Sequence, residues 1–196
     1  MATQQVLGLA ETPATVVFPK FMSLDNLLES AGLDSSAAVL DDRFVKDAVE
    51  QLSDRNPFVA QYAAFIMAVH PSRSTGYLVD TLENPWQQSP ASSMLVFYGP
   101  SKETIVPLVL NLQGSKNKFY HIKQVLLRYG LGQIMVGNLV SALRDPGREK
   151  AATEIFLSFG SAVREYLHLP HSRSPEYHQI NSVLKGIAIM ERGRDA

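Results

Sequence analysis

A short skeleton recurs along this chain, and its spacing leaves few architectures open. GNLVSALRDP (Gly137 to Pro146) repeats the Gly, Leu, Val, Leu and Pro of GYLVDTLENP (Gly76 to Pro85), 61 positions earlier. The skeleton returns between the two, with Leu108, Val109 and Leu112 in PLVLNLQG, and once before them, with Ala48, Val49 and Leu52 in DAVEQLSD. Its first apolar residue falls at 48, 78, 108 and 139, in steps of 30, 30 and 31. A second landmark keeps nearly the same beat. His70-Pro71, Tyr98-Gly99, Tyr129-Gly130 and Phe159-Gly160 each place an aromatic or His before a breaker, at 71, 99, 130 and 160, in steps of 28, 31 and 30. A period of this size marks a solenoid, in which one unit cannot bury its own apolar stripe and the next unit completes it.

The periodicity within each unit is helical. Phe44, Val45, Ala48, Val49 and Leu52 predict a helix over 42–52, and Val59, Tyr62, Ala63, Ile66 and Met67 predict a second that ends before Pro71. Repeat two is predicted at 75–82 and 91–98, repeat three at 102–112 and 118–129, and repeat four at 133–143 and 149–159. Pro107 should shift or kink the helix it interrupts. A shortened fifth unit follows, with helices at 161–167 and about 176–191. Its shortness leaves the C-terminal end of the stack open to self-association. Ala63, Ala91 and Ala152 fall where neighbouring helices must approach closely. Upstream, Ser23 reads as an N-cap, Leu24, Leu27, Leu28 and Ala31 recur at helical spacing, and Gly32 is a stop. The expected fold is therefore all-α, an α-solenoid of about five helix-pair repeats. Residues 1–40 form an N-terminal arm and capping helix, and residues 41–196 the repeats.

Composition narrows the function classes. Eighteen basic and 19 acidic residues give a net charge of −1, weak ground for a nucleic-acid binder. The chain has no cysteine, which excludes disulfides, thiolate nucleophiles and Cys-ligated metals. The start lacks the basic, apolar pattern of a signal peptide, and no run of about 18 apolar residues occurs. The expected location is the cytoplasm, away from the membrane.

The repeats resemble HEAT-like repeats of the short, roughly 30-residue, phycobilisome-lyase type. The resemblance is carried by LVDTLENP (78–85), PLVLNLQG (107–114) and LVSALRDP (139–146) in the first helices. In the second helices it is carried by VAQYAAFIMAVHP (59–71), IKQVLLRYG (122–130) and EKAATEIFLSFG (149–160). It covers roughly residues 41 to 191, and no second helix keeps the family's Val-Arg pair at its start. Three functions stay open, of which the resemblance implies the second and the helical-solenoid fold suggests the others. The first is a non-enzymatic protein-interaction scaffold or adaptor. The second is a phycobilisome-associated bilin lyase or chaperone-like protein. The third is a helical-repeat glycosylase that binds nucleic acid, which the near-neutral charge disfavours. Paired His-Glu dipeptides, which hold di-iron in some enzymes of this repeat class, are missing from the sequence.

No catalytic constellation emerges. His168, His171 and His178 lie close in sequence and are weak metal candidates, with a polar inter-helix loop as the simpler reading. His70 and His121 read as packing residues, Gly130-Leu131-Gly132 as a helix breaker, and Ser115 to Lys118 as a solvated turn. There is no G-x-S-x-G elbow. No cofactor is expected. What remains is a binding face on the second helices, expected on the concave side. Removing the core stripes leaves Gln61 and Phe65, then Ser93 and Phe97, then Tyr120, Gln124 and Leu127, then Lys150, Glu154 and Leu157. This mixture without a dominant charge suits a protein partner better than DNA.

Overall fold

The structure is a computed structural model, and it describes residues 42–168, 174 and 176–193. The predicted arm and capping helix at 1–40 lie outside the described residues. All regular structure among the described residues is helical: α1 (Asp42–Gln51), α2 (Pro57–Val69), α3 (Pro71–Thr81), α4 (Gln88–Tyr98), α5 (Lys102–Leu110), α6 (Lys116–Tyr129), α7 (Gln133–Leu143), α8 (Glu149–Phe159), a 3₁₀ segment (Gly160–Glu165) and α9 (Tyr177–Arg192).

The helices pack as two rows. The first helices, α1, α3, α5 and α7, each touch the next, as do the second helices, α2, α4, α6 and α8, and each pair also packs on itself. This pattern is consistent with a helical repeat. One continuous core runs between the rows, with Leu78, Leu108 and Leu139 at the repeat position read from the sequence, all fully buried. Ala63, Ala91 and Ala152 are buried in the second row, where a larger side chain would hold the helices apart.

Local chemistry sets the boundaries. Asn56 caps α2 by accepting from the Phe58 N–H at 3.1 Å, with Pro57 at the first helical position. Ser101 and Thr104 form a reciprocal capping box on α5, and Ser115 caps α6. Repeat two departs from its predicted start at Thr75. Pro71 already opens α3, because His70 ends α2 and begins α3 with no loop between them. Ser74 and Thr75 are therefore helical and buried, their hydroxyls donating to the His70 and Pro71 carbonyls at 2.9 and 2.6 Å. α5 continues through Pro107 but stops at Leu110, two residues short of the predicted Leu112, which is buried all the same. Lys118, predicted in a solvated turn, is buried in the first turn of α6. Its ammonium lies 3.4 Å from Asp80 of α3, and its stem lies over Gly114.

The fifth unit also differs. Its first helix is only the 3₁₀ segment, which still buries Val163 and, just beyond it, Leu167. α9 packs on α8 and on this segment. It turns His178, Ser182 and Lys185 outward, with Ile189 and Met190 exposed in its last turn.

Two tyrosines tie successive units together. The Tyr98 hydroxyl, at the end of α4, donates to the Met67 carbonyl of α2 at 2.8 Å and lies 2.5 Å from the Ser74 hydroxyl. One unit later the Tyr129 hydroxyl donates to the Leu95 carbonyl of α4, with the Thr104 hydroxyl beside it. Ser74 and Thr104 each stand four residues before the repeat leucine. At that position repeat four has Met135, and its aromatic is Phe159, so hydroxyl donor and hydroxyl neighbour are both replaced by apolar groups. Burial pushes both phenols up, Tyr129 to about 12. The folded state therefore holds these protons more tightly than the unfolded chain. Their contribution is complete below the ordinary phenol value of about 10 and is lost as pH rises through the folded values. Tyr98→Phe or Tyr129→Phe should each cost about 1–2 kcal/mol at neutral pH. In urea unfolding followed from pH 8 to 11, the double variant should lose less stability with alkalinity than the parent. An unchanged alkaline slope would show that the two hydroxyls carry no linkage.

Candidate functional site

The second-helix face is built by helical periodicity opposite the core. In α2 the buried positions are Ala60, Ala63, Ala64, Ile66 and Met67. Tyr62, predicted in the core stripe, is instead 52% exposed, because the alanines at 60, 63 and 64 take the inward positions. The outward stripe is Phe58, Tyr62, Phe65 and Val69, spaced i, i+4, i+7 and i+11, which places all four on one side of the helix. Phe58 is 79% exposed, and Phe65 and Val69 are half-buried.

The neighbouring unit repeats the aromatic theme. Trp86, the one tryptophan of the chain, follows Asn84-Pro85 as Phe58 follows Asn56-Pro57, and it is 85% exposed. Asn84 accepts from the Trp86 N–H at 3.1 Å and so fixes the turn that presents the ring. The Gln87 amide donates to the Glu50 carbonyl at 3.4 Å, which ties this turn to the end of α1. On α4, Phe97 is 53% exposed and Ser93 half-buried. α2 and α4 contain no Asp, Glu, Lys or Arg.

The character changes at α6. Lys116, Tyr120 and Arg128 are exposed and Gln124 half-buried, with Tyr120 at 56% exposure and edge-on to His121. On α8, Lys150 and Glu154 are exposed, and Glu154 receives Lys123 of α6 at 2.8 Å. Polar links run between the second helices: Asn117 donates to Gln88 at 2.8 Å, and the Ser92 hydroxyl lies 3.4 Å from His121 Nδ1. Partial burial lowers the His121 pKa. Burial and then Arg73 lower that of His70. Both imidazoles are therefore neutral at pH 7.

The predicted residues thus divide. Gln61, Phe65, Ser93, Phe97, Tyr120 and Gln124 occupy the outward rows of α2, α4 and α6, and Lys150 and Glu154 continue them on α8. Leu127 is half-buried one position off that row. Leu157 packs against the core, with a methyl only 2.9 Å from where a Cβ on Gly186 of α9 would stand. Phe58, Tyr62 and Trp86 belong to the face but were absent from the sequence-based set. The parallel between Asn56-Pro57-Phe58 and Asn84-Pro85-Trp86 carried the signal for two of them.

His168 and His178 are exposed, with His178 edge-on to Tyr177, and His171 lies outside the described residues. Among the described residues no three His, Asp or Glu side chains gather to hold a metal ion, and no helix is long and apolar enough to cross a membrane. No family model, curated protein or solved structure matches the chain.

Proposed function

We propose that this chain is a non-enzymatic adaptor of the HEAT-like kind, which binds another protein across its second-helix face. The observation that carries the reading is the uncharged surface of α2 and α4, with Phe58, Tyr62, Trp86 and Phe97 all more than half exposed. Exposed aromatics grouped on two adjacent helices and the turn that leads into one of them are uncommon on a monomer surface without a partner. They are the residue types that dominate protein interfaces, with large contact area and few rotatable bonds. The polar and basic residues of α6 and α8 form the rim on one side.

The test pairs capture with substitution. Phe97→Ala together with Tyr120→Ala removes two rings that are mostly in water, so the fold should persist. A partner recovered by the parent and then purified should bind the double variant about 10- to 100-fold more weakly in calorimetry. Equal affinity for a folded double variant removes this face from the function.

A further inference from the structure

We infer that the α2–α4 face pairs with the same face of a second copy of this chain, forming a two-fold symmetric dimer. The inference rests on reading that face as a protein-binding surface, and it names the occupant.

Self-pairing makes a chemical demand. Around a two-fold axis a patch meets its own copy, so its groups must be compatible with themselves. A patch of carboxylates or ammoniums fails, because like charges brought together repel. Rings, hydroxyls and carboxamides pass: rings stack offset or edge-on, and a hydroxyl or amide both donates and accepts. The face meets this demand along its length. α2 and α4 carry no Asp, Glu, Lys or Arg. Between the exposed rings of Phe58, Tyr62 and Phe97 stand Gln61 and Ser89, also exposed, and Trp86 lies in the turn before α4. A charged partner would find no counter-charge on these helices, whereas a second copy brings the same uncharged, aromatic surface. The net charge of −1 adds little long-range repulsion between copies.

The area is sufficient. An aromatic side chain offers about 150–250 Å², so at their exposed fractions Phe58, Tyr62, Trp86 and Phe97 present about 400–700 Å² per copy. Pairing two copies removes roughly 800–1,400 Å² from water through these rings alone. That range spans the total of about 1,000 Å² that a specific interface needs. α2 and α4 have 13 and 11 residues, lengths of about 20 and 16 Å, so each face covers its copy from end to end. Any other protein that binds here must first displace the second copy, which makes the dimer the resting form of the face.

The test uses the full-length protein. Sedimentation equilibrium should read a mass that rises from 21.6 kDa toward twice that value between about 1 and 100 μM. Over the same range acrylamide quenching of Trp86, the one tryptophan, should fall about twofold as its ring is covered. Two charged variants then ask whether like meets like: Tyr62→Glu with Phe97→Glu, and Tyr62→Lys with Phe97→Lys. Both positions are more than half exposed, so each variant should keep the parent's circular dichroism. Alone, each should dimerise at least about 100-fold more weakly. Mixed in equal amounts, they bring opposite charges together, and the dimer should return at concentrations where either alone is monomeric. The quenching readout needs no variant and decides by itself if either fails to fold.

A parent that keeps the monomer mass up to about 100 μM overturns the inference. So does a dimer that leaves Trp86 equally quenchable or survives both charged variants, because another surface then joins the copies. A mixture that stays monomeric overturns it as well, since the face then meets a different part of the second copy. No other protein enters these measurements, so a monomeric parent leaves the adaptor reading standing, and a failed capture leaves the dimer standing.

Discussion

Phe156→Ala should destabilise the protein by about 3–5 kcal/mol, the largest loss expected from any single substitution considered. Phe156 heads the fully buried side chains by volume, and it sits in α8 where that helix meets α7, α6 and α9. Truncation removes the ring from a packed interior and leaves a cavity that the four helices cannot close without moving together. For a domain of this length each kcal/mol shifts Tm by about 2–4 °C, so a fall of roughly 6–20 °C is expected by calorimetry. Phe156→Leu should recover more than half of the loss. A fall below about 2 °C would mean that α9 and the 3₁₀ segment close over the gap, and that the last unit is far softer than its buried surface implies.

The second large effect concerns glycines that look alike by contact and differ by backbone. A Cβ added at Gly76, Gly99, Gly130 or Gly137 meets nothing within 4 Å. Gly99 and Gly130 end α4 and α6 at φ 74 and 75, with ψ 178 and 172. That region is essentially reserved for glycine, and an alanine there costs about 1–3 kcal/mol. The two sites lie in different units, so Gly99→Ala with Gly130→Ala should cost about 2–6 kcal/mol. Gly76 and Gly137 stand inside α3 and α7, exposed and with φ outside the positive range. Alanine at either should stabilise by about 0.5–1 kcal/mol. Urea midpoints for the four single variants check both signs. If Gly130→Ala proved neutral, the junction between α6 and α7 would have rebuilt itself in another conformation.

The fold was legible in the sequence because repetition supplies independent copies of one message. α7 and α8 begin and end where the periodicity placed them. The misses occur where one copy departs from the rest. α3 starts early because Pro71 serves as breaker and initiator at once, and a reading that expects a loop after a breaker inserts one. Tyr62 was assigned inward because an aromatic outweighs an alanine in a hydrophobic count, whereas close helix approach favours the alanine. The outward rows of the face followed from subtraction alone, but subtraction assigns a large apolar residue to the core by default. That rule hid Tyr62, while Phe58 and Trp86 were missed because they stand at the turns that open their helices, outside the rows that were read. Leu157 failed in the opposite sense: it lay on no core stripe of its own helix, yet Gly186 of α9 brings a later helix against it.

The reach of the contacts has a consequence for how the molecule comes apart. Among the described residues, each helix packs substantially only on its own pair and on the adjoining units. A chain wired in this way resembles a zipper more than a knot. Pulled from one end, it should surrender its units in succession, each release exposing the next. Deleting a whole unit of about 30 residues would bring together two surfaces already shaped to meet, while deleting half of one would leave neither neighbour a match.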